Sequence, residues 1–244
     1  MTKLSVNLNK IALLRNSRGR DFPNVVNFAN KFIALGAHGI TVHPRQDERH
    51  ITMQDAHDLG DLLRDNREVE YNIEGYPGED FMQMVEGIAP TQCTLVPDAP
   101  GQLTSDHGWD LTRDMAQVQK SCARLKAAGI RAAIFLDPDV EAVELAAQSG
   151  CDRVEFYTEE FAATYHSEEH AAVYAKYQAA VTRATELGIE VNAGHDLDLQ
   201  NLAKFLTIPN ILEVSIGHVL TIECIEQGME TVAAQYLAIC EASA

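Results

Sequence analysis

The chain is short of positive charge, of paired cysteines and of long apolar runs, and each shortage removes a class of protein. Lys and Arg number 19 against 36 Asp and Glu, a formal net charge of -17. The overall basic footprint that nucleic acid or an anionic membrane requires is therefore missing. The five cysteines (Cys93, Cys122, Cys151, Cys224, Cys240) are odd in number and offer no close pair and no C-x-x-C. That argues against a disulfide framework or a zinc knuckle and fits a reduced compartment. No run approaches the ~18 apolar residues of a membrane span, and MTKLSVNLNK lacks the apolar core of a signal peptide. No linker, low-complexity tract or charge block marks a domain boundary. The expectation is a soluble cytoplasmic protein with no nucleic-acid or membrane partner.

What is present is an ordinary globular composition, 46% hydrophobic and 23% charged over 244 residues, with enough apolar material for a real core. The charge is unevenly spread: residues 1–20 hold Lys3, Lys10, Arg15, Arg18 and Arg20 and no acid. Such a patch either focuses a small anion or is salt-bridged to acidic helices. Short β-rich runs (KLSVNL, HGITVH, VEYNIE, QCTLVP, RAAIFLD, RVEFYT, IEVNAGH, ILEVSIGH) alternate with helical patterns. The helical patterns are Val25 to Leu35, Asp55 to Leu63, Asp80 to Gly87, Leu111 to Ala128, Val140 to Gln148, Glu168 to Leu187, Leu199 to Phe205 and Ile222 to Ile239. Residues 158–167 read as a long loop or a short extra helix. Eight β-then-α units at about 250 residues are what closes a (β/α)8 TIM barrel. A single α/β domain over residues 1–244 is expected, with a doubly wound open sheet as the runner-up.

Alternation within the strands divides their residues into two sets. Leu4, Val6, Leu8, Ile40, Val42, Tyr71, Ile73, Val154, Phe156, Ile189, Val191, Val214 and Ile216 are apolar and should face the helices. Ser5, Asn7, Asn9, Thr41, His43, Asn72, Glu74, Glu155, Tyr157, Glu190, Asn192, Glu213 and Ser215 would point into the barrel. So many buried polar groups are costly unless they bond to one another or to a ligand. An antiparallel sheet with one wet face gives the same alternation, but the intervening helices weigh against it.

Barrel active sites lie at the C-terminal ends of the strands, which singles out Asn7, His43, Glu74, Asp137, Glu155, His195 and His218. Arg45, Arg49 and His50 follow in the loop after strand two. One strand-end histidine is more often structural than catalytic; three converging on one mouth suggest proton transfer near neutral pH. Glu74 and Glu155, partly desolvated, should have raised pKa values suited to acid/base work, unless they simply pair with arginine. Gly194 and Gly217, in VNAGHD and VSIGHVL, would let backbone N–H groups approach a phosphate, or merely permit tight turns. A metal hydrolase using His43, Glu74, His195 and His218 stays open but lacks an H-x-H or H-E-x-x-H motif. A Schiff-base aldolase would use Lys10. Metal-free acid/base chemistry on phosphorylated small molecules ranks above both, and a phosphate-ligand binding protein without turnover is the non-enzyme alternative.

The segments SVNLNKIALLRNSRG, GITVHPRQDERHIT, YNIEG, TLVPD, NAGHDL and VSIGH, in this order and spacing, resemble the pyridoxine 5'-phosphate synthase family of vitamin B6 biosynthesis nearly end to end. The resemblance implies a (β/α)8 barrel that condenses 3-amino-2-oxopropyl phosphate with 1-deoxy-D-xylulose 5-phosphate. The products would be pyridoxine 5'-phosphate, inorganic phosphate and water, made in a homo-octamer with no metal and no organic cofactor. It also implies that His43 and Glu74 accept protons, His195 donates one and Glu155 stabilises the transition state. Asn7, Arg18, Gly217 and His218 would hold the amino-ketone phosphate; Arg45, His50 and Thr104 would hold the deoxyxylulose phosphate. The segment around residues 97–109 would close over the site and keep water out.

Two segments depart from the family pattern. Where N-I-D-H is commonest, this chain has Asn7-Leu8-Asn9-Lys10, and the glycine that usually follows the second catalytic histidine is Asp196. Lys10 restores a cation, so Asn9 and Lys10 are expected still to face the deoxyxylulose phosphate, and Asp196 to alter a backbone contact. Replacing Lys10 by Ala should raise the KM for that substrate; an unchanged KM removes Lys10 from the site.

Overall fold

The computed structural model describes residues 1–66, 68–98, 101–102 and 104–243. In chain order the elements are β1 (Lys3–Asn7), α1 (Asn9–Asn16), α2 (Val25–Ala34), β2 (Gly39–Val42), α3 (Met53–Leu63), β3 (Glu70–Gly75), α4 (Glu79–Ile88), β4 (Gln92–Leu95), α5 (Leu111–Ala127), β5 (Arg131–Leu136), α6 (Val140–Ser149), β6 (Arg153–Tyr157), α7 (Glu159–Thr164), α8 (His170–Glu186), β7 (Glu190–Gly194), α9 (Leu202–Phe205), β8 (Ile211–Ile216), α10 (His218–Gln227) and α11 (Met229–Ala242). Every strand pairs in parallel with the next, and β8 pairs with β1 to close the ring. Closure makes this a (β/α)8 barrel and disposes of both the open doubly wound sheet and the antiparallel alternative. Among the described residues no helix is long and apolar enough to cross a membrane.

Local chemistry sets the element ends. Asn24 caps α2 by accepting the Asn27 N–H at 2.8 Å, Thr52 and Asp55 form a reciprocal capping box on α3, and Asp139 caps α6. α6 ends on Gly150, whose φ of 79° turns the chain into β6. Two elements differ from the sequence reading. α1 was not anticipated, because its eight residues carry no side-chain cap and no acid in the first turn. The single helix expected over Ile222 to Ile239 is split into α10 and α11 at Gly228, φ 91°, whereas residues 159–164 form the short extra helix that was one of the two readings of residues 158–167.

The apolar strand set lies outside the ring, where Leu4, Val6, Ile40, Val42, Ile73, Val154, Phe156, Val191, Val214 and Ile216 are all buried against the helices. Each such side chain contributes roughly 1.5–3 kcal/mol, so this layer holds the helical ring in place.

The inward set is cross-bonded in layers. At the N-terminal end Glu70 bridges Lys3 and Arg131. Arg153 pairs with Glu190 at 2.7 Å, donates to Gln92 Oε1 at 3.3 Å and approaches Glu213 at 3.8 Å. Glu190, expected inside, is half-exposed at this rim. Above it, Ser5 and Thr41 share a 2.7 Å bond, and Asn192 donates to Glu213 at 3.2 Å. The Thr94 hydroxyl lies 3.1 Å from Asn72 Oδ1 and 3.2 Å from Glu155 Oε2. The cost of a polar interior is met by mutual hydrogen bonding.

The return of the β4–α5 connection is anchored on β5. The Gly108 N–H donates to Asp137 Oδ1 at 3.1 Å and the Trp109 N–H to the Phe135 carbonyl at 3.0 Å. Asp137, named from the sequence as a candidate functional group, is this anchor and does not line the active cavity. A Cβ on Gly108 would lie 2.4 Å from the Asp137 nitrogen and 2.5 Å from Leu136 Cα, backbone that cannot rotate away. Gly108→Ala should therefore cost about 1–3 kcal/mol, read as a Tm lower by several degrees; an unchanged Tm contradicts this close approach.

Candidate active site

A cavity of about 470 Å³ opens at the C-terminal ends of the strands, and its wall contains His43, Glu74, Glu155 and His195 together with Asn7, Asn9, Lys10, Arg45, His50, Thr104, Asp196, Gly217 and His218. Of the residues assigned to the site from the sequence, Asp137, Gly194 and Arg18 are not on this wall; Arg18 is exposed in the turn beyond α1. The structure adds Leu13, Ser105, Tyr157 and Ser215 to the wall. Tyr157 and Ser215 belong to the inward set by alternation alone, and Ser105 falls within the segment expected to close over the site. Residues 99, 100 and 103 of the expected closing segment lie outside the described residues. Among the described residues no three His, Cys, Asp or Glu side chains are arranged to hold a metal ion.

Each wall segment is pinned by its neighbours. The loop carrying Arg45 to His50 is tied to α1: Asn16 Nδ2 donates to the His50 carbonyl at 2.8 Å, and Arg15 reaches the same carbonyl at 3.3 Å while binding Asp55. Asn9, at the start of α1, accepts the His43 N–H at 2.9 Å, so its amide fixes the end of β2 where the family pattern has an acid. Beyond β7 the Thr158 hydroxyl is shared between the Gly194 and His195 carbonyls. His195 and Asp196 take positive φ, 85° and 56°, a region where glycine is the unstrained choice. A Cβ on Gly194 would lie 2.8 Å from Glu155 Oε1, so this glycine makes room for the carboxyl.

Burial dominates the electrostatics. His43 is 4% exposed, and desolvation, with Arg45 and His50 adding to it, holds its pKa well below 6.5. Its Nδ1 is 3.8 Å from Glu74 Oε2. Glu74 is pushed well above 4.5 by burial and then by the charges of Glu155 and Asp98. Burial and Glu213 raise Glu155 to about 7. When Glu155 holds a proton it can donate to Thr94, whose hydroxyl then donates to Asn72. His50 is lowered to about 4 by burial and Arg45, and its Nδ1 accepts the Ile51 N–H at 2.9 Å, which leaves the ring proton on Nε2. His195 is lowered by burial, with Asp196 and Asp98 opposing and Arg45 and Lys10 adding to the fall. The wall thus holds neutral imidazoles, carboxyls with raised proton affinity and the cations Lys10 and Arg45.

A parallel (β/α)8 barrel with proton-transfer groups at the strand ends and cations beside them defines an enzyme-type pocket for a small anionic molecule. Residues 4–242 match the model of the pyridoxal phosphate biosynthesis protein PdxJ family, and the chain belongs to that family. It is 50% identical over 237 residues to the pyridoxine 5'-phosphate synthase of Bacteroides thetaiotaomicron, covering 97% of this chain and 98% of that one. It is 47% identical over 237 residues to the Porphyromonas gingivalis protein of the same name, with the same coverage. Among solved structures, 3-hexulose-6-phosphate synthase from Salmonella typhimurium superposes with a TM-score of 0.65 at 12% identity over 100% of both chains. Phosphoribosyl anthranilate isomerase from Thermotoga maritima gives 0.63 at 10%, covering 99% of this chain and 100% of that one. These two likenesses establish the fold alone.

Glu213, raised to about 7 by burial although the nearby Arg153 opposes the rise, keeps its proton in the folded state at pH values where the unfolded chain has lost it. Its contribution favours folding below the unfolded value and falls away as pH rises to about 7. Between about pH 5 and about pH 8 the native protein should lose on the order of 3 kcal/mol relative to Glu213→Gln. Parallel stability profiles for the two proteins would contradict the assignment.

Proposed function

We propose that this chain is a pyridoxine 5'-phosphate synthase, condensing 3-amino-2-oxopropyl phosphate with 1-deoxy-D-xylulose 5-phosphate to pyridoxine 5'-phosphate, inorganic phosphate and water. The single observation that carries the reading is the gathering of His43, Glu74, Glu155 and His195, from four different strands, on one cavity beside Lys10 and Arg45. Imine formation, phosphate loss, hydration and an aldol-type closure are a series of proton transfers around one bound assembly, and such a pocket supplies them without moving the substrates.

In this reading neutral His43 and Glu74 remove protons, Glu74 being a stronger base for its burial. His195 donates one. Burial holds down its pKa, with Arg45 and Lys10 adding to the fall; a bound phosphate dianion would offset both cations and lift it towards the protonated form. Glu155 supports developing charge from below. Arg45, the Nε2–H of His50, Thr104, Asn9 and Lys10 would take the deoxyxylulose phosphate, and Asn7, Asp196, Gly217 and His218 the amino-ketone phosphate, with Arg45 as the planar fork. No metal or organic cofactor enters this scheme.

Arg18 lies outside the cavity of its own chain, so its part in phosphate binding would be played across an assembly. Leu13, Leu14, Ile222 and Ile225 are exposed on the adjoining helices α1 and α10, which supports the homo-octamer of the resemblance. A cytoplasmic location goes with the same reading.

Chelator-treated protein given both substrates should release phosphate and form pyridoxine 5'-phosphate in step; neither product appearing ends the reading. Glu74→Gln should lower kcat by about 10²–10⁴ with both KM values little moved. Retention of kcat would remove Glu74 from the proton transfers. Lys10 on the cavity wall favours a Schiff-base aldolase as the second reading, and borohydride trapping of substrate on Lys10 would select it.

A further inference from the structure

Arg45 is the fork assigned to the deoxyxylulose phosphate, and in the structure its guanidinium is already clasped by the β4–α5 connection. Nη2 lies 2.6 Å from Asp98 Oδ2 and 3.4 Å from Ser105 Oγ, and Nη1 donates to the Gln102 carbonyl at 3.3 Å. Ser105 Oγ donates to the same Asp98 oxygen at 2.8 Å. Asp98 is 6% exposed, and its other oxygen, Oδ1, is buried without a hydrogen-bond partner among the described residues. A carboxylate buried in this way costs stability, so its contribution is to be sought in the site.

The surroundings of Arg45 say what that contribution is. A second cavity of about 590 Å³, bordered by Gln46, Tyr76, Gly78 and Asp98, shares His43, Arg45 and Arg49 with the catalytic one. Glu74, Glu155 and His195 border only the catalytic cavity, and Asp98 borders only the second. The guanidinium therefore forms part of the partition between two spaces, each large enough to receive it. An unrestrained arginine side chain carries rotamer entropy that phosphate binding would have to overcome.

We propose that Asp98 is a positioning residue for this reaction: it holds the Arg45 fork fixed in the partition and, through Ser105, couples the fork to the β4–α5 connection. The charge of Asp98 also reaches Glu74 and His195 and raises the proton affinity of both, so the same carboxylate bears on the acid/base groups. This inference rests on the assignment of Arg45 to the deoxyxylulose phosphate.

The test is steady-state kinetics with each substrate varied in turn for Asp98→Asn, Asp98→Glu, Ser105→Ala and Arg45→Ala. Asp98→Asn should raise the KM for deoxyxylulose phosphate about tenfold, as for one lost charge-assisted contact. The KM for the amino-ketone phosphate should not change, kcat should fall by less than about threefold, and Asp98→Glu should restore most of the loss. The sign is diagnostic, because removing a negative charge beside Arg45 would by itself tighten phosphate binding. A KM that stays level or falls in Asp98→Asn, or an equal loss for both substrates, overturns the proposal. Ser105→Ala should give a smaller rise for the same substrate, and it decides the matter should Asp98→Asn fail to fold: no rise then overturns the proposal. Arg45→Ala separates the two claims. If it leaves the deoxyxylulose phosphate KM unchanged, the phosphate assignment has failed; if it raises that KM and Asp98→Asn does not, only the role of Asp98 has.

Discussion

A parallel barrel leaves no solvent inside its ring, so every polar group turned inward must find its partner within the ring or in what binds at its mouth. This constraint organises the molecule. Arg153 meets it at the bottom by engaging Glu190, Gln92 and Glu213, and Thr94 meets it higher up by standing between Asn72 and Glu155. At the mouth the bonding thins: Glu74 and His43 face each other at 3.8 Å without a full complement of partners among the described residues. Desolvation without compensation drives buried acids towards their protonated forms and buried imidazoles towards neutrality. The reactive protonation states are thus a consequence of where the cross-bonded column ends.

Precision at the mouth comes from outside the ring. Arg15, Asn16 and the Thr52–Asp55 capping box hold the loop after β2, and Thr158 holds the loop after β7. Asn9 contributes one bond to the backbone of His43, so this neutral amide has a geometric function in fixing the end of β2. Asp196 keeps the left-handed backbone that glycine adopts without strain, at the cost that a side chain imposes there.

Period-two alternation made the barrel legible, because the same residues that face the helices are apolar in strand after strand, and glycines such as Gly150 mark where helices hand over to strands. The strand-end rule then located His43, Glu74, Glu155 and His195. Less was visible wherever local pattern gives way to tertiary contact. α1 is too short and weakly capped to announce itself, and Gly228 was lost within a continuous apolar periodicity. Asp137 obeyed the strand-end rule and yet serves as a backbone anchor for Gly108. Asp98 ends the TLVPD motif and begins the segment expected to close over the site, but its 2.6 Å pairing with Arg45 is visible only in the structure. Glu190 obeyed the alternation but sits on the rim, since its position along β7 decides exposure and the alternation says nothing of depth.

The central claim is that burial at the end of the polar column, and no bound partner, sets the protonation of the reactive groups. Nitrogen-15 NMR of the imidazole of His43 in the ligand-free protein tests it most directly. The account predicts a neutral ring at about pH 6, where an unperturbed histidine is largely charged. An imidazole of residue 43 that titrates near 6.5 would contradict it.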